Sequence, residues 1–100
     1  MDRESLQRKL EDILGSRQVY YSPPESIKMS YPAIVYNLNK IDADHADDLK
    51  YKKNRQYTVT LMDYDPESGI AEAILDLPYC SMKTTYAKDN LQHFIFTLYY

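Results

Sequence analysis

Apolar residues near the start of the chain recur every three or four positions, as they do along one face of a helix. Gly15 follows this run, and glycine readily adopts the left-handed conformation in which many helices end. The spacing therefore predicts a helix over Arg3–Leu14 whose apolar stripe must be covered by another element. The residues of this stripe are Leu6, Leu10, Ile13 and Leu14.

Alternating apolar and polar positions predict three strands in the region that follows. A short β-prone run covers 18–21 and ends at two prolines, and longer strands cover 33–41 and 55–63. The segment between the longer strands, 42–54, is polar and charged, so we predict a long hairpin with a protruding polar arm there. The apolar faces of the longer strands are formed by Ile34, Tyr36, Leu38, Tyr57, Val59 and Leu61.

Residues 65–77 carry the signals of a second helix. Asp65 is of a type that caps free N–H groups, Pro66 suits the first helical position, and Pro78 stops the helix. Glu67 complements the positive end of the helix dipole. These features predict an amphipathic helix that begins at Asp65 and ends before Pro78. Its apolar positions are Ile70, Ala73, Ile74 and Leu77.

The last quarter of the chain predicts a hairpin. Strands cover 79–86 and 91–100, and the residues Lys88-Asp89-Asn90 between them suit a tight turn. Apolar residues lie on both faces of the final strand, with Phe94, Phe96, Leu98 and Tyr100 on one face and Leu91, Ile95 and Tyr99 on the other. We therefore expect either that this strand is flanked on both sides or that another subunit covers its outer face.

The predicted element order is α-β-β-β-α-β-β within a single domain over 1–100. Two helices with one-sided apolar stripes pack most economically on one face of a sheet. We therefore predict an α+β fold with one antiparallel sheet, or a mixed one as the alternative, and with both helices on the same face. A chain of 100 residues has room for one such domain.

Composition and charge narrow the possible partners. The chain is 44% hydrophobic and 27% charged, which is ordinary globular usage. Its net charge is -3, so it lacks the global positive field that draws proteins to nucleic acid, and we do not expect a nucleic-acid partner. No window has the length and apolarity of a membrane span, so we expect no membrane partner and a cytoplasmic protein. Cys80 is the single cysteine, and we expect a buried thiol rather than a reactive one.

Tyrosine is unusually frequent, with eleven residues. A tyrosine ring covers apolar area while its hydroxyl stays available for a hydrogen bond, so tyrosine is common where a surface packs against a partner. Tyrosine also favours strands for reasons unrelated to binding. Both interpretations of the count stay open at the level of sequence.

The arm contains the side chains that could bind a metal ion. Its first half holds an acidic run with one histidine, but it lacks the turn glycine and the final glutamate of a calcium-binding EF-hand loop. We expect a solvated acidic loop and no bound metal or cofactor. The potential ligands are Asp42, Asp44, His45, Asp47 and Asp48.

The second half of the arm is basic and interleaved with tyrosine. Such a run can hold single-stranded nucleic acid, but four charges in an acidic domain make a weak candidate. The acidic half and the basic half together make a polarised arm that could meet the opposite half of a neighbour's arm. The alternative is that the two halves screen each other across the hairpin. The basic residues are Lys50, Lys52, Lys53 and Arg55.

Catalysis finds no support in the sequence. It contains no glycine-rich phosphate loop, no nucleophile elbow and no zinc-protease motif, and its one cysteine and two histidines form no evident triad. His93 lies among apolar residues of a predicted strand, where a hydrogen-bonded structural histidine is the expected role. We therefore do not expect an enzyme.

The chain resembles the tail terminator and tail-completion proteins of long-tailed bacteriophages in length, element order and residue texture. The resemblance is carried by several segments along most of the chain. They are the opening helix ending at Leu14-Gly15, the strand entry Tyr31-Pro32-Ala33-Ile34-Val35-Tyr36, the polar arm, the strand at 55–61, the helix after Asp65-Pro66, and the closing strand at 94–100.

That resemblance implies a virion morphogenesis protein with no catalytic residues. It implies a homo-oligomeric ring, hexameric in this family, that caps the tail tube and meets the head connector. Such a protein acts in the host cytoplasm during assembly and then in the virion. The alternative function is a small non-enzymatic adaptor or inhibitor domain that binds a protein partner. The residues we assign to a partner or subunit interface are Asp44, Asp47, Asp48, Lys50, Lys52, Lys53, Arg55, Tyr99 and Tyr100.

Overall fold

The structure of the chain is a computed structural model that describes residues 3–24, 27–45 and 51–100, with the backbone alone at 42–45 and 51–54. The elements follow the order α-β-β-β-α-β-β, and the expected α+β class is confirmed. Their bounds are α1 Arg3–Leu14, β1 Val19–Tyr21, β2 Ala33–His45, β3 Tyr51–Asp63, α2 Gly69–Leu75, β4 Cys80–Lys88 and β5 Leu91–Tyr99.

The first helix has the bounds and the C-terminal cap that the sequence predicts. Gly15 adopts a φ of +79°, and its backbone N–H donates to the carbonyl oxygen of Glu11 at 2.8 Å. This bond satisfies one of the carbonyl groups that a helix end leaves without a partner. Leu6, Leu10 and Leu14 are buried, so the apolar stripe faces the core.

The five strands form one mixed sheet in the order β1-β2-β3-β5-β4. The short strand β1 runs parallel to β2, and the other three pairings are antiparallel. Residues in register share a face, as Ile34, Leu61 and Phe94 do across the centre of the sheet. The mixed sheet, given above as the alternative to a purely antiparallel one, is therefore the observed arrangement.

Both helices pack on the same face of this sheet, as predicted. Leu6 and Leu10 of α1 and Ile74 of α2 join one continuous cluster of buried residues with the inward-facing residues of the strands. The strand residues of this cluster are Val19, Ile34, Tyr36, Tyr57, Val59, Leu61, Phe94, Phe96 and Leu98. The core therefore lies between the helices and one sheet face, and it leaves the opposite face to be explained.

The second helix begins later than the sequence predicts. The helix starts at Gly69 with Ser68 as its N-cap, so the prediction that Asp65 caps it is wrong. The carboxylate of Asp65 instead accepts a hydrogen bond from the backbone N–H of Glu67 at 2.9 Å, which forms a local turn. Ser68 donates its hydroxyl to Asp63 at 2.8 Å, and its side chain accepts no capping hydrogen bond from the helix. The local hydrogen bonds of the two aspartates favour a turn over a helix, so the helix begins further along the chain than predicted.

The last two strands form the predicted hairpin. Asp89 and Asn90 have φ values of 55° and 65°, the left-handed conformations that a two-residue hairpin turn with the native twist requires. Lys88 and Leu91 are the first paired residues on either side. Aspartate and asparagine tolerate this conformation better than other residues with a side chain, which explains why the turn occurs here.

The strands β2 and β3 extend into the arm. The sequence predicted a polar segment between strands that end at 41 and 55, whereas the ladder continues to the pair His45 and Tyr51. Neither β1 nor β5 pairs with this extension, because their pairing ends at Tyr36 and Gln56. The four outermost pairs make a two-stranded ribbon about 13 Å long. The described chain accordingly measures 51 × 25 × 22 Å.

Candidate partner-binding face

The sheet face opposite the helices has no helix or strand packed on it within the described residues, and we call it the outer face. Its central row runs across all five strands. Val35, Thr60, Ile95 and Thr84 are in register, and Tyr20 lies next to Val35 on β1. Ile95 points to this face because its neighbours Phe94 and Phe96 are buried against the helices. The structure thus agrees with the prediction that the last strand carries apolar residues on both faces.

The outer face is almost free of charge. Outside the arm, its residues, identified from the strand register, include no aspartate, glutamate or arginine, and its two lysines lie toward its ends, Lys40 opposite Gln56 and Lys88 beside the hairpin turn. Such depletion of charge, with tyrosine and methionine present, is typical of the buried centre of a protein interface. The set is Tyr20, Ala33, Val35, Asn37, Lys40, Gln56, Thr58, Thr60, Met62, Ser81, Thr84, Tyr86, Lys88, Leu91, His93, Ile95, Thr97 and Tyr99, of which Ala33 is itself fully buried.

His93 is fixed on the outer face by two contacts. Its ring stacks on Tyr86 with centroids 4.6 Å apart and planes 7° from parallel. Its Nδ1 lies 3.2 Å from the carbonyl oxygen of Leu91, so Nδ1 carries the proton and donates. The prediction of a hydrogen-bonded structural histidine is confirmed. The contacts also hold the two rings in place at one side of the face.

Other polar side chains of this face are held by their neighbours. Gln56 donates its amide to the Tyr99 hydroxyl at 2.8 Å, and the Tyr20 hydroxyl donates to Gln18. Side chains that are already fixed lose less conformational entropy when a partner covers them. The outer face is therefore pre-organised, and its centre is uncharged.

The tyrosines divide between the two faces of the sheet. Tyr36 and Tyr57 are buried under the helices, and burial raises the pKa of both phenols. The Tyr36 hydroxyl donates to Gln7 at 2.5 Å, which satisfies its polar end. Tyr20, Tyr86 and Tyr99 lie on the outer face, so strand propensity and surface coverage each account for part of the high count.

Three of the predicted interface residues lie at the base of the arm. Tyr99 lies on the outer face, whereas Tyr100 lies on the helix side, where its hydroxyl is 2.6 Å from that of Ser5. The ring of Tyr100 also lies 5.3 Å from the Lys9 ammonium. Arg55 is half-buried, and its carbonyl accepts the backbone N–H of Tyr100 at 2.9 Å.

The remaining predicted interface residues belong to the arm. The backbone register places Asp44 opposite Lys52 and Ala43 opposite Lys53. The acidic and basic halves of the arm are thus antiparallel strands of a single ribbon. Asp47, Asp48 and Lys50 lie outside the described residues.

A shallow apolar groove lies between α2 and β4. Leu75 and Met82 are each 40% exposed there, and the groove encloses about 150 Å³. Glu67 and Glu72 also line it. Nearby, Tyr79 is 82% exposed with a φ of 59°. This is a second exposed apolar surface, smaller than the outer face and bordered by charge.

Residues with the chemistry of catalysis are scattered. Where the structure describes side chains, at 3–24, 27–41 and 55–100, no three histidine, cysteine, aspartate or glutamate residues are grouped as a metal site would require, and the candidate ligands of the arm lie outside these ranges. Cys80 is half-buried, and burial raises the pKa of its thiol, which disfavours the reactive thiolate. No helix in the described part of the chain combines the length and apolarity that a membrane span requires.

Comparison with known proteins adds no relative. No protein-family model matches the chain, and no curated protein matches its sequence.

Sequence reasoning identified Ile95 and Tyr99 on the outer face but not the face itself. The low charge of the face appears only when the strands are placed side by side, because each strand contributes between one and five alternate residues. The register shift between Met82 and Thr84 also changes which residues of β4 face outward. A search for charge-free alternate positions in every strand would have found most of the set.

Proposed function

We propose that this chain is a virion morphogenesis subunit of the tail terminator or head–tail joining kind, which assembles into a ring on the tail tube. The resemblance supplies the family and the hexameric ring size. The two-helix, single-sheet fold is compatible with it. Partners of such a subunit are copies of itself, the tail-tube protein and the head connector.

The observation that favours a ring subunit is the geometry of the arm. A ribbon that extends about 13 Å past the last strand pairing beside it reaches beyond its own domain. Its β2 strand is acidic and its β3 strand is basic. Negative charges along one strand of the ribbon and positive charges along the other favour a head-to-tail contact, in which the basic strand of one subunit meets a different patch of the next subunit. Head-to-tail contacts generate a ring when the rotation between neighbouring subunits closes, and an open filament when it does not.

The direct test is genetic. Deleting the gene from the phage genome that carries it should leave unjoined heads and tails in the lysate, counted by negative-stain electron microscopy. Plasmid-borne wild-type chain should restore joined particles. Joined virions at the normal yield without the chain would contradict the proposal.

A charge-reversal pair tests the arm. Lys52→Glu with Lys53→Glu should leave the monomer folded but block assembly, because the ribbon extends past the pairing of β1 and β5 and its charges select the partner rather than stabilise the domain. The matched control reverses two exposed cations outside the arm, Arg8→Glu with Arg17→Glu. Normal particle yield from the arm variant would exclude the arm as a contact.

The alternative is an adaptor or inhibitor domain that binds another protein, and the outer face favours it. A pre-organised sheet face with an uncharged centre suits any protein partner with a matching surface. Deletion distinguishes the two functions, since loss of an adaptor leaves heads and tails joined. Tagged chain would then recover a stoichiometric partner from the cell.

A further inference from the structure

We infer that the free chain forms a dimer in which the outer faces of two copies pack against each other. This contact would make a four-layer arrangement of helices, sheet, sheet and helices. The inference concerns the free subunit and stands on the outer face alone, so it does not depend on the ring or on the arm.

Charge identifies the partner of the outer face. The central rows of the outer face carry no charged group, and its lysines, Lys40 and Lys88, lie toward its ends. A surface with an uncharged centre pairs poorly with a charged one, because the charges would lose their water without gaining a partner. The exposed side of α1 carries charged residues throughout, and the groove beside α2 is bordered by Glu67 and Glu72. Among the described surfaces, the outer face of a second copy is therefore the large one that matches. The exposed charged residues of α1 are Arg3, Glu4, Arg8, Lys9 and Asp12.

The area is also of the right order for a dimer. Five strands spaced about 4.8 Å apart, with outer-face residues along about 27 Å of β5, give a footprint of roughly 500–600 Å². A stable specific interface buries about 800 Å² of accessible surface from each partner. Corrugated side chains expose more area than their flat footprint, so the outer face approaches this size. A reversible, concentration-dependent dimer is the expected result.

The side chains of the central row suit packing between sheets. Val35, Thr60 and Ile95 are β-branched, and such side chains stand off a sheet and interdigitate at the separation of about 10 Å found in sandwiches. Thr58 and Thr97 lie in register in the next row, where their hydroxyls can exchange hydrogen bonds with the facing copy. The stacked rings of Tyr86 and His93 lie toward one end and leave the centre of the face to small side chains.

The experiment measures the native mass of the whole chain by light scattering from low micromolar to millimolar concentration. Wild-type protein should approach twice the chain mass of 11.8 kDa as concentration rises. Thr60→Arg places a charge at the centre of the contact and should weaken association at least a hundredfold. Thr84→Arg, at the exposed edge of the same row, should weaken it less.

Thr85→Arg is the matched control, because Thr85 is exposed on the same edge strand but its register partner Phe94 belongs to the opposite face. It should dimerise like the wild type. Circular dichroism melting checks that each variant is folded, and Thr84→Arg keeps the test informative if Thr60→Arg fails to fold.

Three outcomes would overturn the inference. The first is a wild-type monomer at every concentration, which would leave the outer face to a different protein. The second is a dimer that Thr60→Arg and Thr84→Arg do not weaken. The third is a ring whose size and stability are unchanged by either substitution, which would leave the proposed ring function standing.

Discussion

Ile74 of α2 should be a major determinant of stability, and Ile74→Ala measures how firmly the second helix holds the core. The helix has seven residues, too few to be stable by hydrogen bonding alone, so it depends on the side chains it packs under the sheet. Ile74 is 0% exposed and belongs to the core cluster. Truncation should cost about 2–5 kcal/mol from lost apolar burial and the cavity left behind.

The neighbouring residue supplies the control. Leu75 is 40% exposed on the same helix, so Leu75→Ala removes a similar number of carbon atoms without opening an enclosed cavity. We expect it to cost less than about 1.5 kcal/mol, since part of the side chain is already in water. The difference between the two variants isolates burial from helix propensity, because both end as alanine in one helix.

Urea unfolding followed by circular dichroism is the assay, with all variants at one protein concentration. Ile74→Ala should lower the urea concentration at the midpoint without changing the slope of the unfolding free energy against urea concentration. In a separate thermal melt, its melting temperature should fall by roughly 10–25 °C. Equal losses for Ile74→Ala and Leu75→Ala would show that the helix face has been wrongly assigned. A loss below about 1 kcal/mol for Ile74→Ala would show that α2 adds little to the core.

Three further predictions concern single groups. Gly15→Ala should cost about 1 kcal/mol in urea unfolding, because the φ of +79° strains any residue with a Cβ although that atom would have open space within 4 Å. Burial raises the pKa of Tyr36 and Tyr57 in the folded chain. The contribution of these neutral phenols to the stability of the fold is therefore fully present below the ordinary tyrosine pKa near 10, and it is lost as the pH rises through their raised pKa values in the folded chain. Tyr57→Phe should make melting temperature fall less steeply above pH 10, and an unchanged profile would contradict the assignment. Cys80 should react with iodoacetamide at pH 8 more slowly in the folded chain than in urea, because burial raises the thiol pKa; equal rates would argue against that burial.

Local pattern was sufficient for the elements. The helical spacing of Leu6, Leu10 and Leu14, and the glycine after them, determined both the face and the end of α1. Asp89 and Asn90 determined the hairpin turn, because their backbone preference acts without help from distant residues. The start of α2 was missed, since Asp63 and Asp65 form bonds whose balance with helix formation depends on where β3 ends.

In the arm, the alternation of apolar and polar residues ends before the strands do. Charged residues at 42–54 break the apolar pattern, and the sequence therefore indicated a loop where the backbone continues as a paired ribbon. Backbone hydrogen bonds between strands need no apolar face, so a hairpin can extend beyond the core that anchors it. The pairing of Asp44 with Lys52 depends on the register of β2 against β3, which shifts at the bulge between Leu38 and Lys40.

The sequence by itself determined the α+β class, the element order, the inward faces of α1, β2, β3 and β5, and the double-sided apolar character of the last strand. The tertiary structure alone decided that β1 pairs in parallel, that β5 lies between β3 and β4, and that the outer face is continuous with an uncharged centre. The physical reason is the distance along the chain over which each effect acts. Periodicity and turn preference act over a few residues, whereas a surface shared by five strands exists only after distant segments such as Tyr20, Thr60 and Ile95 are brought side by side.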